Sequence, residues 1–169
     1  MGIRVWDPFV RIFHWTMVSV FFANYFFLDG GYKPHDWLGY AVLALLALRV
    51  IWGFVGSKHA RFADFVPTPT QLLAYARDAL RGKEKHYVGH NPAAAAMVLT
   101  LMLLMTGICI TGWMHGLDRF WGEEWVVDIH VLLSDIVAGL VVVHVSAAIL
   151  VSFKQKENLI MAMITGYKH

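Results

Sequence analysis

The 169-residue chain is 58% hydrophobic and only 15% charged, with seven Trp and a formal net charge of +2. A soluble domain is nearer half apolar and a quarter charged, so the composition points to a single membrane domain over residues 1–169 and argues against a nucleic-acid partner. The single cysteine, Cys109, excludes an internal disulfide, and the lack of a C-x-x-C-H run excludes covalent haem attachment.

The first apolar stretch runs from Phe9 to Leu28. It follows a basic N-terminus, as a signal peptide would. However, it is long, carries His14 and Trp15 near its start and has no small-residue cleavage site. The second stretch runs from Asp36 to Val55, the third from Ala93 to Met114 and the fourth from Trp125 to Phe153. Crossing a hydrocarbon core takes about 20 helical residues, so the expected fold is all-α, an integral membrane four-helix bundle. Between the second and third spans, residues 56–92 form a loop, in which Thr70 is the expected N-cap of an amphipathic surface helix, Gln71–Leu80. The tail segment NLIMAMITG (Asn158–Gly166) is expected to lie at the membrane surface in the same way.

Basic residues set the orientation. Arg4 and Arg11, then Lys58, Arg61, Arg77, Arg81, Lys83 and Lys85, then Lys154, Lys156 and Lys168 all fall on one side, against Lys33 and Arg119 on the other. The positive-inside rule puts both termini and the long loop in the cytoplasm, for a multi-pass membrane protein. All seven Trp lie near span ends, as an aromatic belt would.

Nine histidines are spread along the chain. His59, His86, His90 and His169 fall in loops or the tail and read as solvated surface residues, and His115 sits just beyond the third span. The other four lie in or beside spans, where an ionisable group is a functional signal, and neutral imidazole ligates haem iron. His130 and His144 are 14 residues apart on the fourth span, which returns them to within about 40° of one face and separates them by about 21 Å. Ser134, Val137 and Val141 between them are slim enough to admit a flat macrocycle, although such a stripe also suits a helix contact seam. By depth, His14 matches His144 on the cytoplasmic side and His35 matches His130 on the periplasmic side. Two b haems with bis-histidine ligation follow, leaving no iron position open to substrate and favouring outer-sphere electron transfer.

Gly39, one helical turn after His35, would let a haem approach the backbone. Arg49 shares that face about 21 Å deeper, where a guanidinium suits a haem propionate. Asp135 is a candidate proton relay near a quinol, and Asn24 a candidate interhelical hydrogen bond.

The stretches W-D-P-F-V-R-I-F-H-W (Trp6–Trp15), H-D-W-L-G-Y…L-R-V-I-W-G (His35–Gly53), G-H-N-P (Gly89–Pro92) and E-N-L-I-M-A-M-I-T-G (Glu157–Gly166) together resemble the b-type cytochrome subunit family of nickel-iron hydrogenases, which is related to the bacterial cytochrome b-561 proteins. The resemblance implies a four-helix di-haem core in the inner membrane that exchanges electrons with the quinone pool, and it places His14, His35, His130 and His144 at the haem-holding positions. It also implies a periplasmic c-type cytochrome or a dehydrogenase subunit as partner, with membrane lipid around the bundle and a homodimer left open.

The expected function is electron transfer between the quinone pool and a redox partner on the periplasmic side. One rival uses the same haem core as a superoxide-to-ubiquinone oxidoreductase, for which Lys33 and Arg119 supply a thin basic edge. Another is a non-redox metal transporter using the same histidines, against which no span carries a mid-helix Pro.

Overall fold

The computed structural model describes residues 2–83 and 85–168, so His169 lies outside the described residues. The chain opens with strand β1 (Ile3–Arg4) and helix α1 (Pro8–Phe26). Then follow α2 (Lys33–Val55), a 3₁₀ turn (Lys58–Ala60), α3 (Phe62–Phe65), α4 (Pro69–Leu80) and α5 (Pro92–His115). A second 3₁₀ turn (Asp118–Phe120), α6 (Glu124–Gln155), α7 (Leu159–Thr165) and strand β2 (Tyr167–Lys168) complete it.

Helices start where the sequence supplies caps. The Asp7 carboxylate accepts from the Val10 amide with Pro8 at the first helical position, and Asn91 does the same for α5 with Pro92. At α4 the expected cap was Thr70, but the helix begins two residues earlier. Thr68 and Gln71 form a capping box, each side chain bonded to the other's backbone, and Pro69 takes the first position. That reciprocal pair satisfies two amides that a Thr70 cap would leave open. No residue of α4 is buried.

Among the described residues, α2, α5 and α6 are long and apolar enough to cross a membrane. The 32 residues of α6 make a helix of about 48 Å, which exceeds a hydrocarbon core of about 30 Å. Four such spans were expected. The fourth candidate, α1, has 19 residues, but Arg11, His14 and Asn24 dilute its apolarity. It still packs with the other three: Phe13 of α1, Val42 and Leu46 of α2, Met105 of α5 and Val137 of α6 share one buried cluster. Outside that core the helices are clothed in exposed apolar side chains such as Phe22, Leu48, Leu103, Leu132 and Val142. Water would penalise so much apolar surface, whereas lipid does not.

A second cluster closes the end that carries both termini. Val5, Trp6 and Val10 pack on Ala60 and Ala162. There β1 pairs antiparallel with β2, Ile3 opposite Lys168 and Arg4 opposite Tyr167. Gly166 caps α7 with φ near 90°, a conformation that disfavours a side chain, and its carbonyl accepts from the amides of Val5 and Trp6. The aromatic belt is therefore incomplete at this end. Trp15, Trp37, Trp113, Trp121 and Trp125 are exposed, but Trp6 is buried and the Trp52 indole donates to Asp7. A buried indole N–H needs an acceptor, and Asp7 supplies it.

Candidate functional site

The four span histidines come together as two pairs. His14 on α1 faces His144 on α6 with ring centres 6.5 Å apart. His35, in the first turn of α2, faces His130 on α6 with ring centres 6.0 Å apart. The 14-residue interval on α6 puts the first pair toward the end with both termini and the second toward the opposite end, about 21 Å away along the helix.

The pair remote from the termini is held in a defined orientation. His35 Nδ1 lies 3.2 Å from the Leu28 carbonyl, and His130 Nδ1 lies 3.0 Å from the Ile108 carbonyl. A carbonyl only accepts, so each Nδ1 carries the proton and each Nε2 keeps its lone pair free for a metal. Thr111, buried on α5, places its hydroxyl 3.1 Å from His130 Nδ1 and 3.0 Å from the same Ile108 carbonyl. A side chain on Gly112 would meet the His130 ring at 3.3 Å, so this glycine lets α5 close on the imidazole. Neither Thr111 nor Gly112 stood out in the sequence. Their signal is the I-T-G run placed about one turn before the end of α5. At the other pair, His14 Nδ1 is buried without a hydrogen-bond partner, and the ring meets Trp15 edge-on at 5.1 Å.

Among the described residues no group of three or more His, Cys, Asp or Glu could hold a metal ion. Each site thus presents two facing imidazoles and no third such donor among the described residues. Beside Gly39, one turn after His35, an added Cβ would find nothing within 4 Å, so α2 is open there.

Arg49 lies at the terminal end of α2 and is almost fully buried. Its Nη2 donates to the Ala60 carbonyl at 3.1 Å, and the guanidinium sits against the Phe62 and Phe65 rings. Its Nη1 is buried without a partner. A buried charged donor in that condition is costly unless an acceptor reaches it. Close by, Asp7 accepts from Val10, Trp52 and Ser57. Burial works against its charge, but these hydrogen bonds outweigh it and hold the carboxyl below the usual range.

His90 departs most from expectation. Its ring is enclosed between Trp6 and Phe65, at 4.6 and 5.1 Å, rather than solvated, and its Nδ1 is buried without a partner. Burial, reinforced by the Arg49 and Lys168 cations, pushes the imidazole down to about 3, so it is neutral at pH 7. The G-H-N-P motif was the only sequence signal for it. His86, by contrast, is half exposed and lies 3.4 Å from Glu157, and His115 is exposed.

The other polar residues of the spans also find partners. Asn24 donates to the His35 carbonyl at 3.3 Å and so ties α1 to α2. Asp135 accepts from the Tyr25 hydroxyl at 2.8 Å, between α1 and α6. Cys109 is free and half-buried.

Long apolar helices clothed in lipid-compatible side chains, with polar groups turned toward one another, define a multi-pass helical membrane protein. The chain belongs to the prokaryotic cytochrome b561 family, whose profile matches residues 5–166. It is thus a b-type cytochrome, a membrane electron-transfer protein whose family holds haem b. Curated relatives named "Probable Ni/Fe-hydrogenase B-type cytochrome subunit" are similar to it. The one from Bradyrhizobium diazoefficiens is 27% identical over 154 residues, covering 74% of this chain and 61% of the relative. The one from Rhizobium leguminosarum bv. viciae is 27% identical, covering 98% and 88%, and the one from Cupriavidus necator is 26% identical, covering 97% and 86%. The chain therefore spans less than two thirds of the first of these and most of the other two. No solved structure matches the chain.

Proposed function

We propose that this cytochrome is a four-helix bundle of the bacterial inner membrane that binds two b haems and moves electrons between the quinone pool and a periplasmic redox partner. One haem is held by His14 and His144, the other by His35 and His130. The observation that carries this reading is the spacing of the rings, 6.5 and 6.0 Å. An imidazole nitrogen sits about 2 Å from a first-row metal with its ring centre roughly 1 Å behind, so two axial imidazoles on one iron stand roughly 6 Å apart, centre to centre.

When bound, haem supplies a reversible one-electron couple. The chain's own residues orient and enclose it. The carbonyls of Leu28 and Ile108 fix the tautomers of His35 and His130. Gly39 leaves room for the macrocycle edge. Arg49 Nη1 and His90 Nδ1, both buried and unpartnered, are the donors available to propionates at the His14–His144 end.

The paired termini support four crossings. Since β1 and β2 are hydrogen-bonded, both chain ends lie on one side. An even number of spans then follows, and α1 is the available fourth. The basic residues make that side cytoplasmic. The partner class follows from the relatives' names, which point to a nickel-iron hydrogenase; a c-type cytochrome or another dehydrogenase subunit would dock on the same periplasmic side.

Two measurements test the proposal. Dithionite-reduced minus oxidised spectra of membranes should show b-type bands, with two haems extracted per chain; a haem-free protein would refute it and leave metal transport as the reading. A C-terminal fluorescent-protein fusion should glow and an alkaline phosphatase fusion should be inactive; the reverse result would overturn the orientation.

A further inference from the structure

The Tyr25–Asp135 pair is not used by haem binding, and its setting is unusual. Asp135 is an exposed carboxylate in the interior of a membrane-spanning helix. Residues close to the pair in the chain are apolar and also exposed: Leu132 and Ile136 along α6, Phe22 and Phe26 along α1. That surface would face lipid close to the aqueous boundary, since Tyr25 is in the last turn of α1. An acid there is expensive, and such residues mark functional sites. Among the described residues the Tyr25 hydroxyl is its only hydrogen-bond donor, at 2.8 Å. One donor leaves most of a carboxylate's accepting capacity unmet.

The pair also sits against the His35–His130 site. Asn24, the residue before Tyr25, donates to the His35 carbonyl at 3.3 Å. Ser134, the residue before Asp135, donates to the His130 carbonyl at 2.8 Å. Both members of the acid–phenol pair are thus chain neighbours of groups bonded to the backbone of the two imidazole-bearing residues. In addition, Phe21 stacks on the Tyr25 ring at 5.5 Å, so an aromatic platform lies beside the acid.

A ligand that reaches this surface must dissolve in the bilayer, offer a hydroxyl to a carboxylate and suit an aromatic neighbour. Beside a redox centre, a hydroquinone has these properties. We propose that Tyr25 and Asp135 form a lipid-facing binding site for a quinone headgroup at the His35–His130 end of the bundle. The inference rests on the two-haem reading and deepens it by naming where the quinone sits.

His35 and His130 would hold a haem that supplies the one-electron acceptor; in the oxidative direction one hydroquinone O–H would donate to Asp135 and pass its proton to the carboxylate as the electron is lost. Tyr25 donates to the same carboxylate and holds it in place. Tyr25 lies in the last turn of α1, close to the aqueous end of the bundle, so Asp135 can release its proton there and accept the second as the second electron leaves. The sum is one hydroquinone and two ferric haems giving one quinone, two ferrous haems and two protons. Quinone reduction is the same sequence reversed.

The test uses the full-length protein in nanodiscs, wild type against Asp135→Asn and Tyr25→Phe. Three quantities are read: haem per chain, quinone bound per chain by solvent extraction, and the rate of haem reduction after mixing with a short-chain ubiquinol or, in a second arm, a menaquinol analogue. Both variants should keep two haems and reduce normally with dithionite. Asp135→Asn should lose bound quinone and slow quinol-driven reduction about 100-fold or more, as loss of a general base does. Tyr25→Phe should slow it about tenfold, the worth of one hydrogen bond. The arm that reacts faster identifies the quinone class. If Asp135→Asn retains its haems, its quinone and the wild-type rate, the site is refuted, and a carboxylate that instead proves necessary only for holding a partner subunit refutes it equally. Wild-type protein without haem overturns the electron-transfer reading, while quinone binding that disappears in Asp135→Asn would still support the site.

Discussion

On the proposed two-haem reading, replacing His130 by Ala should leave one haem per chain without unfolding the protein. The structure sets the magnitude on both counts. The lost ring takes with it the Nδ1 contacts to the Ile108 carbonyl and the Thr111 hydroxyl, but that hydroxyl still reaches the same carbonyl at 3.0 Å. No acceptor is orphaned, so the stability cost is that of an ordinary hydrogen bond, about 1 kcal/mol, plus a small cavity. His144 lies about 21 Å along the same helix, beyond the 7–10 Å over which substitutions usually couple. The His14–His144 haem should therefore remain, and the pyridine haemochrome per chain should halve. His144→Ala should give the mirror result, with the other haem retained. The assay is haem extraction combined with circular dichroism on the same sample. A His130→Ala protein of wild-type helicity that keeps both haems would refute the pairing. So would one of wild-type helicity that loses both.

Gly39→Leu should fill the open space beside the second helix, where nothing stands within 4 Å of an added Cβ. Helicity should be unchanged while the His35–His130 haem is lost, which haem extraction and circular dichroism would show together. Arg49→Gln should cost about 1–3 kcal/mol, from one carbonyl bond and two aromatic contacts, read as a lower Tm in detergent. It should also lower the reduction potential of the His14–His144 haem, since removing a nearby cation favours the ferric state. The pH dependence follows from His90, whose folded value of about 3 lies below the ordinary 6.5. Between those two values the unfolded chain binds a proton that the folded one does not. Stability should thus be undiminished above pH 6.5 and fall by about 1.4 kcal/mol per pH unit below it. His90→Phe should flatten that slope in urea titrations run from pH 7 to pH 4.

What could be read in advance was periodic or local. The 14-residue interval between His130 and His144 needs only the pitch of a helix, and the depth of each span end follows from where the charges begin. Those two facts suffice to put His14 near His144 and His35 near His130. Contacts made across the fold leave no such trace. The strand pair between residues 3–4 and 167–168 joins segments too short to show an alternating pattern. The burial of His90 depends on Trp6 and Phe65 arriving from two other segments. Thr68 was passed over for Thr70 because two threonines and two prolines alternate there, and only the reciprocal bond with Gln71 distinguishes them. The orientation of His130 lies between these cases: Thr111 and Gly112 are adjacent in the chain, but nothing before the packing of α5 on α6 indicates that they face the ring.

The strand pair has a consequence for biogenesis. Val5 and Trp6 donate their amides to Gly166, so a segment before the first helix is bonded to one that follows the last long helix. Trp6 is also one wall around His90, and Val5 and Val10 pack on Ala162 of the tail helix. During synthesis this end of the bundle therefore stays open until α7 and β2 have emerged. The His14–His144 compartment remains accessible from that side for the whole of that interval, whereas the opposite compartment needs nothing beyond α6. The His35–His130 pair can thus close first, and the α7–β2 segment acts as the latch on the His14–His144 pair.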